Sequence, residues 1–253
     1  MPDLLPSFWI IAGVFFLIAF TYASVGLGGA SSYTALMAIL GFEVLAIPMV
    51  SLVLNLAVTT FGSFNFIRNR HARLKLIAPF LVTSMPMAYL GGSLHVDKTL
   101  FYWILLISLL FVAARIYLWD KTTLKLALGK TGKLAVALLG GSLIGLVSGI
   151  VGIGGGIYLI PMVIILGLGS EKQAAACGMI FIWLNSAVGL SARLQYNPID
   201  LGVYLPLILA VLAGGVLGSH LGSTTLRPET MQKVLGVIVI VAVVLLFRKV
   251  VSL

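Results

Sequence analysis

The sequence predicts an all-α integral membrane protein of two homologous repeats, each of about five hydrophobic helical segments, with glycine-broken helices at the centre. Three observations predict it. Of 253 residues, 60% are hydrophobic and only 9% are charged, whereas a soluble domain spends roughly a quarter of its residues on charge. The apolar residues form runs near the length of about 20 residues that a helix needs to cross a bilayer. Finally, one glycine-rich motif occurs twice, at corresponding places in the two halves. Inside hydrocarbon every backbone polar group must be satisfied within the chain, so these runs are helices.

In chain order the first half offers apolar runs at 8–24, 31–40, 44–67, 74–94 and 100–119. The second offers 134–150, 158–168, 173–194, 201–221 and 231–247. Residues 1–7 lack the basic stretch and cleavage site of a signal peptide, so they read as the start of a retained first helix. The second run of each half is too short to span at about 1.5 Å per residue. The domains are then a first membrane repeat (1–119), a charged cytoplasmic linker (120–133) and a second membrane repeat (134–253).

The duplication is read from order as well as from motif. Val25-Gly26-Leu27-Gly28-Gly29-Ala30 recurs as Val151-Gly152-Ile153-Gly154-Gly155-Gly156, and each is followed by a short apolar run that ends in glycine, at Gly41 and Gly167. The stretch 46–58 resembles 176–188, with Asn55 opposite Asn185, and 79–94 lines up with 206–221 without a gap.

Arg68, Arg70, Arg73 and Lys75 cluster in one loop, and Arg115, Lys121, Lys125, Lys130 and Lys133 in another two helices later. Both clusters fit the cytoplasmic side. The second-half counterpart of the first cluster, 195–200, has no Lys or Arg, which suits repeats that lie upside down to each other. The alternative, in which each glycine-broken pair crosses once, keeps nearly the same charge balance, and Arg248 and Lys249 favour it slightly; against it, 134–168 is about twice the length of one pass.

Glycines in Gly141-Gly145-Gly149, and Gly91, Gly92, Gly214, Gly215, Gly218 and Gly222, read as close helix packing. The repeated motifs read differently, because adjacent glycines destabilise a helix by about 1 kcal/mol each relative to alanine. Short glycine-interrupted segments in corresponding halves point to a transporter's binding site. A helix that restarts after a break presents unpaired N–H groups and a positive dipole end, which hold an oxyanion without any basic side chain. The candidate substrate-binding residues are Gly26, Gly28, Gly29, Ser31, Ser32, Gly152, Gly154, Gly155, Gly156 and Tyr158, with Asn55, Asn185 and Ser186 as amide and hydroxyl donors from mid-helix. For the two asparagines, interhelical bonding is an equal alternative. Thr59 and Thr60 could share either role, and Arg193 reads as a side chain reaching for the interface.

Asp3, Glu43, Asp97, Asp120, Glu171, Asp200 and Glu229 all fall at segment ends or in loops. The lack of intramembrane carboxylates argues against a cation carrier and a carboxylate-based proton pump. His71, His95 and His220 are dispersed and Cys177 stands alone, so neither a metal site nor a catalytic set is expected, nor an enzyme. No cofactor is expected. Expected partners are a small anion, a coupling ion (Na+ or H+), membrane lipids and, as an open alternative, a second copy of the chain; the net charge of +9 sits at helix ends rather than on a nucleic-acid-binding face.

The residues 145–156, Gly-Leu-Val-Ser-Gly-Ile-Val-Gly-Ile-Gly-Gly-Gly, followed by Ile160-Pro161 and Gly167, resemble the sulfite exporter family of the TauE/SafE type. The likeness continues in Asn197-Pro198-Ile199-Asp200, where the family often has Gly-Ile/Val-Asp, and in 215–221. It implies a multi-pass secondary carrier, an exporter of sulfite, sulfoacetate or a related organosulfur anion, in a prokaryotic plasma (inner) membrane. Passive anion channel and carrier of another small solute are the alternatives. Three positions depart: Ala35 stands opposite Pro161, Ala30 replaces the third glycine, and Asn197 stands where glycine is common. An asymmetric site, with the second half binding more, is the expectation.

Overall fold

The computed structural model describes residues 5–69, 71–118, 128–196, 200–226 and 228–251. Among these the first half forms α1 (Leu5–Ser24), α2 (Ala30–Leu40), α3 (Ala46–Arg68), α4 (Ala78–Ser93) and α5 (Lys98–Leu118). The second forms α6 (Lys130–Val151), α7 (Gly156–Ile165), α8 (Glu171–Leu194), α9 (Leu205–Thr224) and α10 (Pro228–Val251). A 3-10 turn precedes α4 (Leu74–Leu76) and another precedes α9 (Leu201–Tyr204), so the element order of one half is that of the other. Six of the elements, α3, α5, α6, α8, α9 with its turn, and α10, are long and apolar enough to span a membrane. Helix α6 starts at Lys130, inside the stretch assigned to the linker. Residues 120–127 of that stretch lie outside the described residues, as do Arg70, Asn197, Pro198 and Ile199.

Glycines set which helices touch. A Cβ on Gly141, Gly145 or Gly149 of α6 would run into the backbone of Phe80, Ser84 or Ala88 of α4. On the opposite flank, Gly214, Gly218 and Gly222 of α9 stand against the carbonyls of Phe16, Phe20 and Ser24 of α1. In both pairs the residue numbers rise together, so the helices run parallel and backbone meets backbone, as small residues allow. Between these flanks α3 and α8 run antiparallel, with Gly62 against Met179 and Gly189 against Leu52. Gly62 and Gly189 are 127 residues apart, and so are Leu52 and Met179.

Each glycine-broken pair is a long helix followed by a half-helix that turns back. Arg193, in the last turn of α8, donates through Nη2 to the carbonyls of Gly149 and Ile150, at 2.8 and 2.6 Å. The ends of α6 and α8 therefore lie together. The chain then reverses: Gly156 lies against Ile182, Ile160 against Gly178, and Gly169 against Leu76. Helix α7 thus runs antiparallel to α8, starting eleven residues above Arg193, about 16 Å along the helix. In the first half Ser24 ends α1 beside Gly222, Gly28 packs at the level of Asn55 and Ile182, and α2 runs on to the far end, where Lys249 Nζ donates to Ile39 O at 3.0 Å. The two half-helices begin at one level, in the middle of the bundle, and point away from each other.

Candidate functional site at the two helix breaks

Left-handed backbone makes both breaks. The caps of α2 and α7 are Gly29 at φ 90° and Gly155 at φ 81°, a conformation that favours glycine. Neither cap makes a side-chain hydrogen bond. The first N–H groups to find backbone acceptors are those of Ser32 and Tyr33, both to Gly29 O, and of Tyr158 and Leu159, both to Gly155 O. The N–H groups ahead of them have no intrahelical acceptor and sit at the positive ends of the two helix dipoles. Gly26, Gly28, Gly29 and Gly152, Gly154, Gly155, Gly156 are all buried.

Asn55 lies between the breaks. A Cβ on Gly28 would collide with its Oδ1, and one on Gly154 would stand 2.7 Å from its Nδ2. The amide nitrogen donates to Ile153 O at 3.0 Å and, more weakly, to Ser186 Oγ at 3.4 Å. Its Oδ1 is buried without a hydrogen-bond partner. On α8 the matching place belongs to Ile182, whose Cγ2 would be 3.3 Å from a Cβ on Gly28 and 2.9 Å from one on Gly154. Asn55 and Ile182 have the 127-residue spacing of the packing glycines.

The pairing of Asn55 with Asn185 expected from sequence is therefore corrected. Those residues are 130 apart, three more than the structural spacing. Three residues turn a helix by about 300°, nearly a full circle, so the shifted alignment keeps a similar face pattern and looks plausible. Asn185 donates to Phe181 O of its own helix at 2.9 Å, and it is not among the nearest neighbours of any glycine in the breaks.

Of the other candidates, Ser186 is at the centre, its Oγ 2.8 Å from the Cβ position of Gly154 and 3.4 Å from Asn55 Nδ2. Ser31 and Ser32 are both engaged with the Tyr22 hydroxyl, at 2.9 and 2.6 Å, and act as a lock between α1 and α2. Tyr158 turns its ring away from the break onto Phe111, with centroids 5.6 Å apart, in an apolar outer groove of about 330 Å³. Thr59 bonds back to Asn55 O, and Thr60 accepts from Trp183 Nε1. Arg193 does not extend outward but is 5% exposed, capping α6.

Two residues at the centre had no sequence signal pointing to them singly. Tyr33 folds its hydroxyl back beside Gly29, where it is buried and unpartnered, and its ring stacks on Phe15 at 5.1 Å. Ile182 would have been found by carrying the gapless match of 79–94 with 206–221, a 127-residue spacing, through to α3 and α8. Small cavities adjoin the breaks at either end of α8. One, of about 20 Å³, is lined by Val25, Leu27, Ile157, Gln232 and Arg115, and Arg115 feels the Glu171 carboxylate at the start of α8. The other, of about 10 Å³, is lined by Pro48, Ile150, His95 and Arg193.

Span-length apolar helices with two half-helices meeting at their N-termini define a helical membrane protein built like a transporter. The model of the family described as "Sulfite exporter TauE/SafE" matches residues 11–246. The chain is 36% identical over 238 residues to "Probable membrane transporter protein y4hK" of Sinorhizobium fredii, covering 92% of this chain and 95% of that one. It is 24% identical over 239 residues to "Probable membrane transporter protein YjnA" of Bacillus subtilis, covering 86% and 91%. A "Probable membrane transporter protein" of Haemophilus influenzae is 30% identical over 126 residues, covering 45% and 47%. No solved structure matches the chain. The chain belongs to the TauE/SafE sulfite exporter family of membrane transporters, and it is a multi-pass membrane protein.

Proposed function

We infer that the chain is a secondary carrier of a small sulfur-containing anion, an exporter in a prokaryotic inner membrane, and that the anion is held between the two half-helix N-termini beside Asn55. The observation that carries this reading is the convergence of two uncapped N-termini on one buried level. Such ends hold an oxyanion with N–H donors and dipole alone. Arg115 and Arg193, lining the cavities at either end of α8, add positive potential along an approach from each side. The antiparallel run of α3 and α8, the shared spacing of 127 residues and the opposed half-helices support two inverted repeats, the arrangement in which one half rocks against the other around a fixed site.

Burial favours a carrier over a passive pore. Asn55 is 0% exposed, and the flanking cavities of about 20 and 10 Å³ each have room for about one water, not for a sulfur oxyanion. Asn55 and the glycines of both breaks are thus shielded from solvent, as in an occluded step of alternating access. Sodium or proton movement supplies the drive, and lipid covers the apolar outer faces.

Purified protein in proteoliposomes tests this. Sulfite or sulfoacetate should bind saturably by calorimetry and move against its own gradient when a Na+ or H+ gradient is imposed. Binding by none of sulfite, thiosulfate, sulfoacetate and sulfate would remove the sulfur-anion assignment. Downhill movement alone would return the protein to the channel reading.

A further inference from the structure

The Asn55 amide is locked in one orientation. Its Nδ2 donates to Ile153 O at 3.0 Å, so turning the amide over would set oxygen against carbonyl oxygen. Ile153 belongs to the second break; the second break therefore fixes what Asn55 shows to the first. What it shows is Oδ1, an acceptor, 0% exposed, without a partner and packed on Gly28. Groups able to donate lie at the same break. They are the N–H groups that open α2 and the Tyr33 hydroxyl beside Gly29, which is also buried and unpartnered. Ile182, in the matching place on α8, brings no polar atom.

We propose that Asn55 makes the site select an oxyanion that still carries a hydrogen of its own, a singly protonated tetrahedral monoanion, over an anion of the same shape with none. The inference rests on the reading of the breaks as an anion site. The bound anion turns its bare oxygens to the α2 N–H groups and to the Tyr33 hydroxyl, and its own O–H donates to Asn55 Oδ1. An anion without hydrogen offers only lone pairs, so one oxygen faces Oδ1, and a buried acceptor stays unsatisfied.

Two isosteric probes separate these cases on the purified full chain. Methanesulfonate is a monoanion with no hydrogen on oxygen. Methanephosphonate has the same shape and, on the acid side of its second ionisation, the same charge with one P–OH; on the alkaline side it has none. By calorimetry the singly protonated phosphonate should bind at least about tenfold tighter than the sulfonate, the worth of one buried hydrogen bond. That preference should vanish as the phosphonate loses its proton, while sulfonate affinity stays level over the same range. Asn55→Leu should bring the two monoanions to equal affinity, and Tyr33→Phe should weaken both alike.

If wild-type protein binds sulfonate as tightly as protonated phosphonate, the proposal is wrong and the anion site stands. If neither probe binds, nor any sulfur oxyanion, the site itself falls and the proposal with it. The wild-type probe series decides the matter even if Asn55→Leu does not fold.

Discussion

Asn55 Nδ2 donates to the carbonyl oxygen of Ile153 at 3.0 Å, a bond between residues 98 apart that ties α3 of the first half to the break of the second. The bond satisfies a carbonyl that the broken helix has released and places a polar group where the half-helices begin. One side chain thus ties the two halves together and leaves its other polar atom, Oδ1, unpartnered at the break.

That arrangement distinguishes the two mid-helix asparagines. Asn55→Leu leaves the Ile153 carbonyl without its donor, and stability should fall by about 1–3 kcal/mol. Binding of a singly protonated oxyanion should fall at least about tenfold, because the same amide faces Gly28. Asn185→Leu removes only a bond to Phe181 O of its own helix. Its stability should change by less than about 1 kcal/mol, with unaltered affinity. Thermal unfolding in detergent and calorimetry on both variants check the pair; equal effects on affinity would return Asn55 to packing.

The glycines also divide by what a methyl group would meet. At Gly154, φ is +77° and a Cβ would stand 2.7 Å from Asn55 Nδ2 and 2.8 Å from Ser186 Oγ. Gly154→Ala should displace the amide and abolish binding, while the protein still inserts and folds. At Gly145 the obstacle is the Ser84 backbone, on the face of α6 that packs against α4. Gly145→Ala should cost about 1–3 kcal/mol of stability by overpacking the α4–α6 contact, and the protein that remains folded should bind normally. Gly167, at φ +62°, has open space around its Cβ position. Gly167→Asn should be tolerated, since asparagine enters the left-handed region readily. Side-by-side melting curves and binding isotherms would show whether the three separate in this way.

Much of this architecture was legible because it is dictated by strong local signals. Ten apolar runs became ten helices, and the glycine runs became the breaks, because hydrocarbon leaves the chain no other way to pair its backbone. The packing glycines were legible too, since small residues at helical spacing have few other uses in a membrane. The register between halves was not, because a match of one asparagine outweighed a gapless run three residues out of phase. Side-chain direction was hidden for a related reason. Ser31, Ser32 and Tyr158 open the half-helices in sequence, yet each side chain of a helical residue points to one side only, and theirs point toward Tyr22 or toward the outer groove. Tyr33, one turn in from Gly29, reaches back to the break, as long helical side chains do when they lean toward the N-terminus.

Acid should loosen the junction of the α3–α4 loop with the start of α8. His71 titrates below its ordinary value of 6.5, first because it is partly buried and second because Lys172 repels its charged form. For a histidine whose folded value is lowered, the folded state binds fewer protons, so stability is full above the unfolded value and is lost as pH falls through the folded one. Protection from hydrogen exchange around 71–76 and 171–177, relative to the intrinsic rate at each pH, should therefore fall as pH is lowered from about 7 to about 5. His71→Gln should remove that dependence, and an unchanged pH profile in the variant would assign it to another group.

Arg193 supplies the last test, because its place contradicts what its position near a helix end suggests. It is 5% exposed, and its Nη2 donates to two of the final carbonyls of α6, at 2.8 and 2.6 Å. The negative end of the α6 dipole therefore offsets its charge. Removing the guanidinium strands two carbonyls at the point where the chain reverses toward Gly154. Arg193→Met should lower stability by about 2–3 kcal/mol, the scale of charged hydrogen bonds. Arg193→Lys should recover part of it, since an ammonium reaches one carbonyl but lacks the planar fork. If the arginine also guides anions from its side, binding should slow in Arg193→Lys less than in Arg193→Met, and the difference should shrink as salt is raised. Stopped-flow binding at two ionic strengths, set beside thermal melts, separates the cap from the guide: a cap alone lowers the melting temperature and leaves the association rate insensitive to salt.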